Sequence, residues 1–192
     1  MQDGQAPLDV FVGRAAELAR MAEVVSRVEA GQPWLVAIEG DPGVGKTSLA
    51  RHCLAQAPGL RVLSARADQA EADLDFGLVD QLLRAAGTGT PPAGAADVTG
   101  SPASSFAVGA RLLEVVGGEQ LSGGLAIVVD DLQWADRKSV EALTFMLRRL
   151  SVDPVLAVVI YRGHPAAPGQ RRVPVPARRA VHRPDRGGTG RV

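Results

Sequence analysis

The sequence predicts an α/β fold, a parallel sheet flanked by helices, and three observations predict it. Short apolar runs suited to buried strands (35–38, 125–129 and 155–161) alternate with stretches whose apolar residues recur every three to four positions. A glycine-rich turn separates the first of these runs from the helical pattern behind it. Each run also ends in residues with chemistry: the glycine loop after Ile38, Asp130-Asp131 after Val129, and Arg162 after Tyr161. Ligands in open parallel sheets sit at the carboxyl ends of the strands, so the three tips are expected to converge on one pocket.

The elements follow in order. Residues 1–9 are polar and expected to be disordered, and residues 10–163 form the domain. Leu18, Met21, Val25 and Val28 predict a first helix, which Gly31-Gln32-Pro33 stops. The first strand, the glycine loop and a helix to about Ala57 come next, ended by Pro58-Gly59. Residues 61–65 read as a short second strand. Asp75 is placed to cap a helix through about Ala86, with Phe76, Val79, Leu82 and Leu83 on one face. Residues 87–103 are almost entirely Gly, Pro, Ala, Thr and Ser, the composition of a flexible loop. A helix from about Ser104 to Val116 should turn Phe106, Leu112, Leu113 and Val116 mostly inward, with Gly117-Gly118 and Gly123-Gly124 bracketing its exit. Residues 125–129 read as a central buried strand. Residues 137–150 are helical, with Val140, Leu143, Met146 and Leu150 on one face, and 155–161 form the fourth strand. From residue 164 to 192 the period vanishes. This arginine-, proline- and glycine-rich end reads as a disordered basic tail, the kind of text that out-of-frame coding produces.

Composition sets bounds on function. A chain of 192 residues, 46% apolar, holds one domain with a substantial core. Lysine occurs only at Lys46 and Lys138, so one of two lysines stands directly after the glycine loop. The net charge is zero, but residues 163–192 carry seven Arg and one Asp, leaving an acidic body that argues against direct DNA binding. The single cysteine, Cys53, excludes an internal disulfide and fits core packing in a reducing cytoplasm. No signal segment and no apolar run near the ~18 residues of a membrane span is present, so a cytoplasmic location without membrane partners is expected. His52, His164 and His182 lack metal-ligand spacing, and the serines form no nucleophile elbow.

Gly40-Asp41-Pro42-Gly43-Val44-Gly45-Lys46-Thr47-Ser48 has the spacing of a phosphate-binding loop. Glycines let successive main-chain N–H groups turn inward around phosphate oxygens, and the next helix points its positive end at the same anion. Lys46 is then expected to reach the β- and γ-phosphates, and the Thr47 hydroxyl to ligate Mg²⁺. A buried strand ending in Asp-Asp after such a loop is the Walker B pattern. Asp130 is expected to hold Mg²⁺ opposite Thr47, and Asp131 to orient or deprotonate water. Arg162 could donate bidentately to the γ-phosphate from the neighbouring strand tip. Trp134 is expected to pack. The implied cofactors are ATP and Mg²⁺, with ATP or ADP as the bound partner.

Three segments together resemble one family. Phe11-Val12-Gly13-Arg14-x2-Glu17-Leu18, the phosphate loop, and Val-Asp-Asp-Leu-Gln-Trp-Ala-Asp at 129–136 look like the N-terminal ATPase module of large LuxR-type transcriptional regulators. That module is similar to the Orc1-like AAA domain and to STAND-class signalling ATPases, all of them P-loop NTPases. Residues 70–79 also resemble the family's region after its second strand. The resemblance implies that Val12, Gly13 and Arg14 lie on the adenine and ribose side, and that Arg162 holds the sensor position. It further implies a nucleotide switch, reset by slow hydrolysis, in a chain that ends in a helix-turn-helix. After Arg162 the family's fifth core strand, helical lid and DNA-binding end are not legible here. Pro174 and Pro176 argue against a central strand. The sequence therefore reads as a truncated module, its phosphate-loop strand left with an open edge and self-association as a consequence. Two other readings stand beside the ATPase: an inert remnant, and a small-molecule kinase, which the arginine-free loop 87–103 disfavours.

Overall fold

Alternation along each strand decides which face of the sheet a residue serves. The computed structural model of the chain describes residues 15–88, 104–118, 124–162 and 179–182. Its strands are β1 (Trp34–Gly40), β2 (Arg61–Arg66), β3 (Leu125–Asp130), β4 (Val155–Arg162) and β5 (Arg179–His182). All pair in parallel, in the order β2-β3-β4-β1-β5. Leu35, Ala37, Leu63, Ile127, Val129, Ala157 and Val159 point to one face. Helices α3 (Gly77–Ala85), α4 (Ser105–Gly118) and α5 (Arg137–Leu147) supply Leu82, Leu83, Leu112, Leu143 and Met146 to that layer. Val36, Ile38, Ala126, Leu156 and Ile160 point the other way, against α1 (Ala15–Glu29) and α2 (Lys46–Ala55). Cys53 lies buried in this second layer beside Leu49 and Leu54, as core. Each fully buried Leu or Ile contributes about 1.5–3 kcal/mol relative to exposure.

The parallel α/β architecture is the one expected, with four differences. The sheet does not lack a strand beside β1: β5 pairs with it, Leu35 to Ile38 standing opposite Arg179 to His182. This strand starts after Pro174 and Pro176 and lies at the sheet's edge, where only one side must pair. Asp75 is not the cap of α3. Phe76 occupies that position in a left-handed conformation (φ 62°), while Asp75 pairs with Lys138 at 2.8 Å. Phe106 is 62% exposed, because α4 packs on α5 along Gly109, Leu112 and Val116. The ring of Phe106 instead meets Phe145 edge-on, with centroids 4.5 Å apart. Finally, α4 runs on through Gly118. Residues 1–14, most of the loop 87–103 and all of the tail except 179–182 lie outside the described residues.

Candidate functional site

The tip of β1 is built from main chain. After Gly40 the chain turns through Asp41 to Gly45 and enters α2 at Lys46. Gly43 and Gly45 have φ of 79° and 78°, a left-handed backbone that side chains with a Cβ rarely adopt. Gly45 occupies the cap position of α2 without a side-chain acceptor. The N–H groups of the first turn, at Lys46, Thr47 and Ser48, therefore face a position suited to an anion. Lys46 Nζ donates to the carbonyl oxygens of Gly40 and Asp41, each at 2.9 Å, so the ammonium lies against the loop. Burial pushes its pKa below the ordinary lysine value. The carboxylates of Asp131, Asp130 and Asp41 pull it back up, while Arg162 adds to the lowering.

The tip of β3 is built from side chains. Thr47 Oγ1 donates to Asp130 Oδ2 at 2.8 Å, bringing together two residues 83 apart in the chain. A hydroxyl and a carboxylate side by side are the hard oxygen donors Mg²⁺ takes, and the pair fits that ion. Asp130 Oδ1 accepts the N–H of Asp131 at 2.9 Å. Asp131, itself left-handed (φ 53°), has both oxygens engaged. Arg66 grips Oδ2 through Nε (3.1 Å) and a terminal nitrogen (3.0 Å). Gln133 donates to Oδ1 at 3.0 Å, and the Arg162 guanidinium stands 3.9 Å from the same oxygen.

Two further contacts tie this tip to α3. Buried Asp136 caps α5 through the Ser139 N–H (2.8 Å) and accepts the N–H groups of Phe76 (2.9 Å) and Leu78 (3.4 Å). The Gln81 carboxamide bonds both the N–H and the C=O of Arg66 (3.0 and 3.1 Å), standing in for a neighbouring strand at the sheet's edge. The structure thus brings Gly40 to Ser48, Asp130, Asp131 and Arg162 to adjacent strand tips. Val12, Gly13 and Arg14 lie outside the described residues. Trp134 packs against the core. Sequence reasoning missed Arg66, Gln133, Gln81 and Asp136. Of these only Asp136 carried a local signal, an aspartate directly before a helix.

Among the described residues no helix is long and apolar enough to cross a membrane. A search of curated proteins returned no match. Among solved structures, the chain is similar to Drosophila ORC bound to DNA, with TM-score 0.52 and 14% identity over 78% of this chain and 38% of that one. It is also similar to a DNA replication initiation factor (TM-score 0.46, 16% identity, 85% and 43% covered). Caenorhabditis elegans PCH-2 is a third likeness (TM-score 0.45, 15% identity, 78% and 37% covered). The chain thus spans less than half the length of these structures. The family profile of the AAA ATPase domain matches residues 10–160, which hold the phosphate loop and Asp130-Asp131 and end two residues before Arg162, and the chain belongs to that family.

Proposed function

We propose that this chain is the ATP-binding, Mg²⁺-dependent and slowly hydrolysing module of a LuxR-type transcriptional regulator, working as a nucleotide switch. The observation that carries the reading is the Thr47–Asp130 contact, which joins the phosphate loop to the acidic strand tip across β4. In this reading the N–H groups of 43–48 hold the triphosphate, and Lys46 leaves its two carbonyl partners for phosphate oxygens. Bound Mg²⁺, held by Thr47 and Asp130, would neutralise phosphate charge. Asp131 orients the attacking water once Arg66 releases Oδ2, and Arg162 donates to the terminal phosphate from the tip of β4. Val12, Gly13 and Arg14 take the adenine and ribose side. Direct DNA contact and a membrane role are not part of this reading, and self-association through an open β1 edge loses its ground because β5 pairs there. A cytoplasmic setting follows. The alternative of an inert remnant drew on an absent strand beside β1 and an absent lid; β5 lies beside β1 and supplies the strand.

Calorimetric titration with Mg–ATP tests the proposal. Lys46→Ala leaves phosphate charge unpaired, at a cost of ~3–5 kcal/mol. Affinity should then drop about two to four decades. Equal affinity in wild type and variant would overturn the site.

A further inference from the structure

Gln133 lies two residues beyond Asp131, in the 3-10 turn Leu132–Trp134, and its carboxamide spans two strand tips. Oε1 accepts the main-chain N–H of Arg162 at 3.2 Å, and Nε2 donates to Asp131 Oδ1 at 3.0 Å. The network dictates this orientation of the amide. A main-chain N–H must meet an oxygen, so the NH₂ end has to face the carboxylate. Asp131 depends on such help. Its backbone is left-handed, and its own N–H is already taken by Asp130.

The two oxygens of Asp131 are held unequally. Oδ2 is gripped by Arg66, whose side chain is 75% exposed, and ion pairs so open to water hold weakly. Oδ1 is tied through Gln133 to the main chain of β4, a strand buried from Val155 to Ile160. One oxygen has a partner that can leave; the other is fixed to the sheet.

We infer that Gln133 is a positioning residue for hydrolysis: it anchors Oδ1 of Asp131 to the tip of β4, so that Oδ2 meets the attacking water when Arg66 swings away. This rests on the ATP-hydrolysing reading above and adds to it a specific relay. The tip of β4 also carries Arg162, so a shift of that tip on contact with the terminal phosphate reaches the carboxylate through one amide. Gln133 touches no reacting atom in this scheme; it acts through Asp131.

Single-turnover ATP cleavage and equilibrium Mg–ATP affinity, measured on wild type, Gln133→Ala and Gln133→Glu, test the assignment. Misplacing a catalytic group by about 1 Å costs roughly 100-fold in rate. Both variants should therefore cleave roughly 100-fold more slowly, with affinity within about threefold of wild type. Gln133→Glu is the discriminating variant. Its carboxylate can still accept the Arg162 N–H, but it cannot donate to Asp131 and repels it. A merely structural glutamine would leave Gln133→Glu near the wild-type rate. If wild type cleaves ATP and either variant matches it, the assignment of Gln133 is overturned and the ATPase reading survives. If wild type binds Mg–ATP but never cleaves it, or fails to bind it, the reading falls and the assignment falls with it.

Discussion

The tips of β1 and β3 reach the same pocket by different means. At β1 the groups suited to an anion belong to the main chain, and their directions follow from left-handed glycines and the first turn of α2. At β3 they are side chains whose partners come from distant parts of the chain. Thr47 meets Asp130 across 83 residues, Arg66 meets Asp131 across 65, and Phe76 meets Asp136 across 60. The first tip depends on local backbone conformation alone. The second depends on the whole sheet and on α3 being in place, so it can be dismantled one partner at a time.

Substitutions can break this contrast or sharpen it. The largest effect on folding is expected from Asp136→Ala, which strips the cap from α5 and orphans the Phe76 and Leu78 N–H groups in the interior. Stability should fall by about 3 kcal/mol or more, read as a lower urea midpoint at unchanged slope. Asp136→Asn retains one acceptor oxygen and should lose about half as much. Gly45→Ala attacks the other tip. A Cβ at φ 78° costs about 1–2 kcal/mol, and Mg–ATP affinity should fall by more than that strain alone explains. A stable variant with intact affinity would mean that the loop tolerates other conformations.

Alkaline pH tests the layer beneath the β1 tip. Burial pushes the Cys53 thiol up to about 11 from an ordinary value of 9.0. The unfolded chain therefore loses its thiol proton first, and stability drains away between pH 9.0 and about 11. The loss should reach about 1 kcal/mol near pH 10 and be missing from the pH slope of Cys53→Ala. Lys46 works in the opposite sense. Its lowered pKa means the folded chain releases that proton first, so stability recovers as pH climbs towards 10.5, by a small amount for so open a group. Arg66→Ala should have the smallest effect on stability, less than about 1 kcal/mol, because its pair with Asp131 is exposed. A larger loss in urea unfolding would show the β3 tip to be held from outside rather than through Gln133.

The same contrast decides how much could be read from the chain. Gly40 to Thr47 and Asp130-Asp131 were legible because their chemistry is written in contiguous residues. The helices and the strands β1 to β4 followed from apolar period, and the parallel sense of their pairing from the alternation of the two. Arg66 and Gln81 left no trace, and Gln133 stood in the 129–136 string with no role assigned, since each matters only through a partner on another element. Asp75 was the plausible cap for α3. The left-handed turn at Phe76 hands that role to Asp136 from across the fold. Phe106 looked like core by its chemistry, but the groove on α5 is lined up with Gly109 rather than with it. β5 was illegible for another reason. Arg-Ala-Val-His has no strand period of its own, and pairing with β1 supplies what its sequence does not.

Gly124 opens β3 at the end of the sheet opposite the pocket, with φ +105°. Its carbonyl accepts the Arg61 N–H at 3.0 Å, and the next residue, Leu125, donates to Pro154 O at 2.8 Å. A Cβ on Gly124 would stand 2.6 Å from that same proline oxygen. Three neighbouring strands are cinched there like threads at one stitch, six strand residues and about 20 Å from the Asp130 carboxylate. Even a methyl group would have to wedge the seam open, and β3, a stiff rod, would carry the tilt to Asp130. The accuracy of the pocket is thus lodged partly in a hydrogen atom at the far side of the molecule.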